Sequence, residues 1–152
     1  MLLATLPALA GDVFVVRHVS DGDTLILRDG PRVRLIGVDT PEMHDTQRNR
    51  EDARRNRLSE KTVGEFAEKA KQFVREAVEG RSVRLEYDWQ RTDKYGRTLA
   101  YVYREDDGYF LNEAIVREGY GFAYLAFPFK LSEEFRSLAR EAQKEGRGLW
   151  KS

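Results

Sequence analysis

Three short stretches of this chain place charge where chemistry could use it: Asp21-Gly22-Asp23-Thr24, Arg34-Leu35-Ile36-Gly37-Val38-Asp39-Thr40-Pro41-Glu42 and Asp93-Lys94-Tyr95-Gly96-Arg97. Each lies at the end of an apolar, strand-like run or in a Gly/Pro turn, so its carboxylates and guanidinium groups can reach a pocket. Asp21, Asp23, Asp39 and Glu42, with Arg34 and Arg97, form an inventory for holding a hard divalent cation and clamping a phosphodiester. Carboxylate oxygens bind calcium or magnesium, an arginine fork matches two phosphate oxygens at once, and a remaining carboxylate can orient or deprotonate a water.

Asp23 and Asp39 fall at the start of one strand-like run and the end of another, and Thr40-Pro41 turns the chain immediately afterwards. Two hard oxygen donors beside a turn carbonyl suit calcium, which accepts flexible oxygen coordination. Either acid alone would equally serve as an Asx-type turn residue. Arg34 stands between Val33 and Leu35, so alternation puts it on the opposite face from those two. Glu42 follows Asp39 past Pro41, close enough for a neighbouring water yet outside direct metal contact. His44 reads as a loop residue.

The elements that must position these groups are visible as changes of period. Val13 to Val19, Thr24 to Leu27 and Arg32 to Val38 are short β-rich runs, with a hairpin expected at Asp29-Gly30-Pro31. Val63, Phe66, Ala67, Ala70, Phe73, Val74 and Ala77 follow helical spacing up to Gly80. Strand patterns return at Ser82 to Asp88 and Thr98 to Arg104. A short helix is expected over Asn112 to Glu118, capped at both ends, and a last helix from a Ser132 cap to Gly146, burying Phe135, Leu138, Ala139 and Ala142. About five strands, with a helix between the third and fourth, make an α+β domain.

At 152 residues with 41% hydrophobic side chains, one domain with a real core is expected, and no repeat or low-complexity linker divides it. The absence of cysteine excludes a disulfide framework and a thiolate metal site. With 26 basic and 26 acidic residues the net charge is zero, so any field that attracts a polyanion must be local. The run Arg48 to Lys61 is one source, holding Arg48, Arg50, Arg54, Arg55, Arg57 and Lys61; its other reading is a solvated loop. The apolar opening, Met1 to Ala10, looks like the remnant of a signal peptide, giving an expectation of a secreted or periplasmic protein, or else it is a frayed end. It is too short to span a bilayer.

The strings DGDT, RLIGVDTPE, QRTDKYGR with LAYVY, and NEAIVREGYGFAY resemble the staphylococcal nuclease (thermonuclease) family over about Val16 to Trp150. The resemblance implies a five-stranded OB-fold-type β-barrel with about three helices. It implies a calcium-dependent, largely sequence-non-specific endonuclease acting on DNA and RNA and leaving 3′-phosphate ends. In the matching motifs Asp23, Asp39 and the Thr40 carbonyl hold the metal, Glu42 is the base, and Arg34 and Arg97 act on the phosphate. Lys94, Tyr95 and Tyr124 contact the nucleotide, and Asp21 is an outer acid near the metal waters or a plain turn residue. Ala126 stands where a second base-pocket tyrosine is often found, beside Phe127 and Phe129. A monomer with no stable protein partner and no transmembrane segment is expected. The rival reading is a catalytically silent OB-fold module that only binds single-stranded nucleic acid or a protein.

Overall fold

The structure is a computed structural model that describes residues 12–42 and 46–151. The leader reading of residues 1–10 and the loop reading of His44 lie outside the described residues. In chain order the elements are β1 (Val13–Asp21), β2 (Thr24–Leu27), β3 (Arg32–Leu35), β4 (Val38–Asp39), α1 (Thr46–Asn56), α2 (Glu60–Val78), β5 (Ser82–Glu86), β6 (Thr98–Arg104), α3 (Leu111–Arg117), β7 (Phe122–Ala123) and α4 (Ser132–Glu145), followed by a 3-10 turn at Gly148–Trp150.

Five strands close a barrel in the order β1-β2-β3-β6-β5, antiparallel except where β3 runs parallel to β6. Closure removes the edges that an open sheet of such short strands would present. The expected OB-fold-type barrel is therefore present. Its interior is filled by alternate residues, Leu25 and Leu27 from β2, Val33 and Leu35 from β3, Val83 and Leu85 from β5, and Ala100 and Val102 from β6, and by Val16 and Val19 of β1, where a shift of register between Val16 and His18 breaks the alternation. Val74, Ala77 and Val78 of α2, Leu111, Ile115 and Val116 of α3, and Phe135 of α4 belong to the same core. Each of the valine, leucine, isoleucine and phenylalanine side chains among these stabilises the fold by about 1.5–3 kcal/mol through burial of its apolar surface.

Three local expectations are corrected. The run Arg32 to Val38 is not one strand. Gly37 turns it at φ 76°, and a side chain there would lie 2.7 Å from Phe129 and 2.8 Å from Phe135, so β4 peels away to pair with β7 outside the barrel. The arginine-rich segment forms a fourth helix, α1, rather than a loop. Asn49, Asp52 and Ala53 recur at helical spacing on its buried side, and Arg54 and Arg55 sit in its last turn, where cations complement the helix dipole. The caps expected at Asn112 and Ser132 are also absent: the N-cap positions fall at Phe110 and Leu131, neither with a side-chain capping bond. A side-chain cap occurs instead on α2, where Ser59 accepts from the Thr62 amide at 3.0 Å. Gly146 does close α4, in the left-handed conformation. Among the described residues no helix is long and apolar enough to cross a membrane.

Asn112, fully buried, acts as a tie rather than a cap. Its Oδ1 accepts from the Val102 amide at 2.9 Å, and its Nδ2 donates to the carbonyls of Ile36 at 2.9 Å and Ala100 at 3.1 Å. It thereby locks α3 to β6 and to the end of β3. Asn112→Ala should lower stability by about 2–4 kcal/mol, because buried main-chain groups lose a partner they cannot replace with water. Urea denaturation checks this, and a midpoint within error of the parent would refute the tie.

Candidate active site

The barrel brings the three charged stretches to one end through close backbone contacts. Gly22, in the β1–β2 turn, lies against Thr40: a β-carbon there would be 2.8 Å from the Thr40 Oγ1. Pressed together in this way, the first stretch hydrogen-bonds the second. The Thr40 amide donates to Asp23 Oδ2 at 3.1 Å, the Leu35 amide donates to the Asp23 carbonyl at 2.9 Å, and Thr24 Oγ1 donates to Asp23 Oδ1 at 3.0 Å. Asp39 is carried on β4, which is held by its pairing with Phe122.

Arg34 stands between the two acids. Its Nη2 lies 3.5 Å from both Asp23 Oδ2 and Asp39 Oδ1, while its Nη1 donates to the carbonyls of Leu35 at 3.0 Å and Val38 at 2.6 Å. Asp23 and Asp39 are each only 3% exposed and Arg34 9%, so this cluster is nearly dry. Burial pushes the Asp39 carboxyl up; Arg48 and Arg34 oppose that, and Asp23 adds to it.

The third stretch is a turn organised by Asp93. Its Oδ1 accepts from the amides of Tyr95 at 2.9 Å and Arg97 at 3.0 Å, and its Oδ2 accepts from Arg97 Nε at 2.7 Å. Arg97 Nη1 then reaches Thr24 Oγ1 at 3.4 Å, beside Asp23. Lys94 and Arg97 both lie over the exposed Tyr95 ring, at 5.1 and 5.4 Å from its centroid. Across the site Tyr124 lies under Arg34, 5.9 Å from ring centroid to guanidinium carbon. Lys94, Tyr95 and Tyr124 therefore occupy the rim around the arginines, while Asp21 is half-buried at the end of β1.

Helix α1 supplies contacts that motif reasoning missed. Arg48 bridges Asp39 Oδ1 and Glu42 Oε1, the latter at 2.8 Å. Asn49 pins the Glu42 backbone, accepting from its amide at 3.2 Å and donating to its carbonyl at 2.6 Å. A cleft of about 460 Å³ opens between Asp39 and Tyr124 on one side and Gln47, Arg48, Glu51, Asp52 and Arg55 of α1 on the other. Asp52 is pushed up to about 6 by burial and by the nearby Asp39. Its Oδ2 is buried without a hydrogen-bond partner. The readable signal for this helix face was the spacing of Asn49, Asp52 and Ala53 inside an otherwise charged run.

The donor set fits a hard cation. Asp23 and Asp39 already converge on one positively charged nitrogen, every available donor is oxygen, and the buried Thr40 Oγ1 beside them has no partner. It is a lean set: among the described residues no three acids, histidines or cysteines gather into a metal-holding group, and Asp21 does not complete one. Few protein oxygens with the remaining positions left to water is a familiar arrangement for hard cations.

The sequence comparisons agree with this geometry. The family model described as "Staphylococcal nuclease homologue" matches residues 32–152. The chain is 38% identical over 138 residues to the thermonuclease of Staphylococcus intermedius, covering 89% of this chain and 71% of that protein. It is 34% identical over 141 residues to the thermonuclease of Staphylococcus hyicus, covering 90% and 75%. Endonuclease YhcR of Bacillus subtilis is 29% identical over 144 residues, covering 90% of this chain and 11% of that protein. The chain belongs to the staphylococcal nuclease homologue family. It is a phosphodiesterase of the nuclease type.

Asp93 links stability to the placement of Arg97. Burial alone would raise its carboxyl, but the bonds from Arg97 and Tyr95 outweigh that and hold it below the usual carboxylate range. A carboxyl lowered in the folded state stabilises above the unfolded value near pH 4, and that contribution is lost as pH falls through the lowered one. Asp93→Asn should therefore destabilise at pH 7, with the gap to the parent closing as pH falls below about 4. Urea midpoints across that range test it, and a gap independent of pH would contradict the assignment.

Proposed function

We propose that the protein is a calcium-dependent, largely sequence-non-specific endonuclease that hydrolyses phosphodiester bonds of DNA and RNA and leaves 3′-phosphate ends. The observation that carries this reading is the convergence of buried Asp23 and Asp39 on Arg34, with Glu42 alongside and Arg97 fixed to Thr24. Asp23, Asp39 and the Thr40 carbonyl are the groups that would hold the cation, which when bound polarises a phosphoryl oxygen. Glu42 accepts the proton of the attacking water. Arg34 from β3 and Arg97 from the turn before β6 neutralise charge that builds on the phosphoryl oxygens in the transition state. Tyr95 and Tyr124 offer ring faces to the flanking bases; stacking tolerates any base, which suits a non-specific enzyme. Asp21 supports the waters around the cation, and Lys94 meets a substrate phosphate.

Digestion of single- and double-stranded DNA and of RNA with calcium, with magnesium and with chelator is the deciding experiment. Activity is expected with calcium, little with magnesium and none in chelator. Glu42→Ala and Arg97→Ala should each lower turnover by about 10²-fold with little change in affinity. Arg34→Ala should do the same and also lose stability, because it removes the cation shared by two buried carboxylates. Full activity in chelator, or a folded Glu42→Ala enzyme at normal rate, would overturn the mechanism.

The surface of α1 supports a polyanionic substrate. Arg50 and Arg54 of α1, and Arg57 just beyond its end, are exposed and do not line the cleft that Arg48 and Arg55 line. Neutralising these three together should weaken binding of long DNA and flatten its salt dependence by about one unit of slope for each lost phosphate contact. Cleavage of a dinucleotide should hardly change. An unaltered slope would leave this face without a role in binding.

A further inference from the structure

Several arginines of this fold are tied to carboxylates: Arg84 to Glu86, Arg104 to Asp107, Arg117 to Glu113 and Glu118. Arg28, at the end of β2, and Arg32 of β3 are not. Both are exposed, and among the described residues their side chains make no ion pair, hydrogen bond or ring contact; the same holds for Arg17 of β1. Strand register places them relative to the active site. Thr24 lies opposite Arg34, and Ile26 opposite Arg32. Val33 and Leu35 fill the barrel, so Arg32 and Arg34 share its outer face, two residues and about 7 Å apart along β3. Leu27 also fills the barrel, and the Arg28 amide still pairs with the Val15 carbonyl at 2.8 Å, so Arg28 continues the outward row of Thr24 and Ile26. On β1, the register shift between Val16 and His18 is a bulge that leaves both Arg17 and His18 exposed beside Ile26. Two acids lie near this strip. Asp29 is exposed in the β2–β3 turn, and Glu79 is held by Arg75 and the Val19 amide. In a chain of zero net charge, the strip is of nearly one sign, and it begins at Arg34.

We propose that the outer face of β2 and β3 is a phosphate track that carries the nucleic-acid strand away from the cleft. With the scissile phosphate at Arg34, Arg32 meets the next phosphate and Arg28 the one after it, both on the same side of the cut. The step of two residues along a strand is close to the step between successive phosphates of a stretched single strand. Ile26, half-buried between the arginines, offers the intervening sugar an apolar surface. Contacts of this kind fix a strand's position and carry no sequence information. Arg32 and Arg28 bind the substrate backbone and take no part in bond breaking. The inference rests on the nuclease reading in which Arg34 takes the scissile phosphate.

The test pairs each arginine with one phosphate, using the full chain with calcium and a DNA hexamer whose central linkage is the only phosphodiester. The remaining linkages are phosphorothioates, charged but slowly cut, and each is replaced in turn by a neutral methylphosphonate. In the parent, neutralising either of the two linkages on one side of the cut should lower kcat/KM about fivefold through KM, the size of one exposed ion pair. Arg32→Gln should lose about as much on the fully charged hexamer. It should then become indifferent to the nearer linkage while still sensing the farther one, and Arg28→Gln should show the reverse. Both variants should cut a dinucleotide at the parent rate. Arg32→Lys should recover sensitivity to the nearer linkage, which a merely structural role for Arg32 would not produce. Linkage sensitivities that persist unchanged in Arg32→Gln, or losses equal at every linkage, would mean a general field and overturn the track. A parent that cuts the hexamer without regard to the flanking linkages would overturn the track alone. A parent that cuts neither hexamer nor dinucleotide would overturn the nuclease reading and the track with it.

Discussion

Two carboxylates buried side by side are the constraint on which this molecule turns. Asp23 and Asp39 are both almost inaccessible to water, and a single guanidinium nitrogen of Arg34 serves them both. Like charges in a poorly solvated site repel strongly, and one arginine cannot balance two acids. The cluster keeps an excess negative charge that demands a second cation. In this structure Arg48 answers that demand by closing on Asp39. The same electrostatic deficit would draw a divalent ion, and a positive centre held there would stand beside any phosphate that Arg34 and Arg97 bring in.

So tight a cluster needs a frame that cannot relax away from it. The barrel gives one, because Arg34 is carried on β3, whose register is fixed on both sides, Thr24 opposite Arg34 and Arg34 beside Leu99, while Asp23 and Arg97 sit in the turns that lead into β2 and β6 and Asp39 sits on β4. Where side chains would hold the backbones apart, glycine lets them close. Gly22 permits the β1–β2 turn to rest on Thr40, and Gly37 frees β4 from the barrel so that Asp39 can turn back over Arg34. Asn112 secures the same corner from beneath by holding the Ile36 carbonyl. The rigid part of the site thus belongs to the sheet, whereas the groups on α1 depend on one helix laid across its opening.

That division explains what could be read from the sequence. The meeting of the three charged stretches was legible because DGDT, DTPE and DKYGR, each beside a short β run, fix residue type, spacing and turn together. The barrel core was legible from alternation. Helix α1 was not, since its buried face is made of Asn49, Asp52 and Ala53 rather than large apolar residues, leaving a hydrophobic-period search little to detect. Asn112 and Ser132 misled for a related reason. Both residue types favour caps, but Asn112 makes its bonds to distant strands, and tertiary partners override local preference.

Helix α1 also resolves the apparent conflict between zero net charge and a polyanionic substrate. The relevant quantity is where charge sits, and α1 sorts its arginines by face. Arg48 and Arg55 line the cleft together with Asp39, Glu51 and Asp52, so that wall carries both signs. Arg50, Arg54 and Arg57 are exposed to solvent and do not line the cleft. A uniformly basic site would bind phosphate indiscriminately and repel the very cation the acids require. On the proposed reading, mixed charge inside the cleft with basic charge outside it separates two tasks: the outer face would gather the polymer, and the inner one would stay negative enough to take up a metal ion.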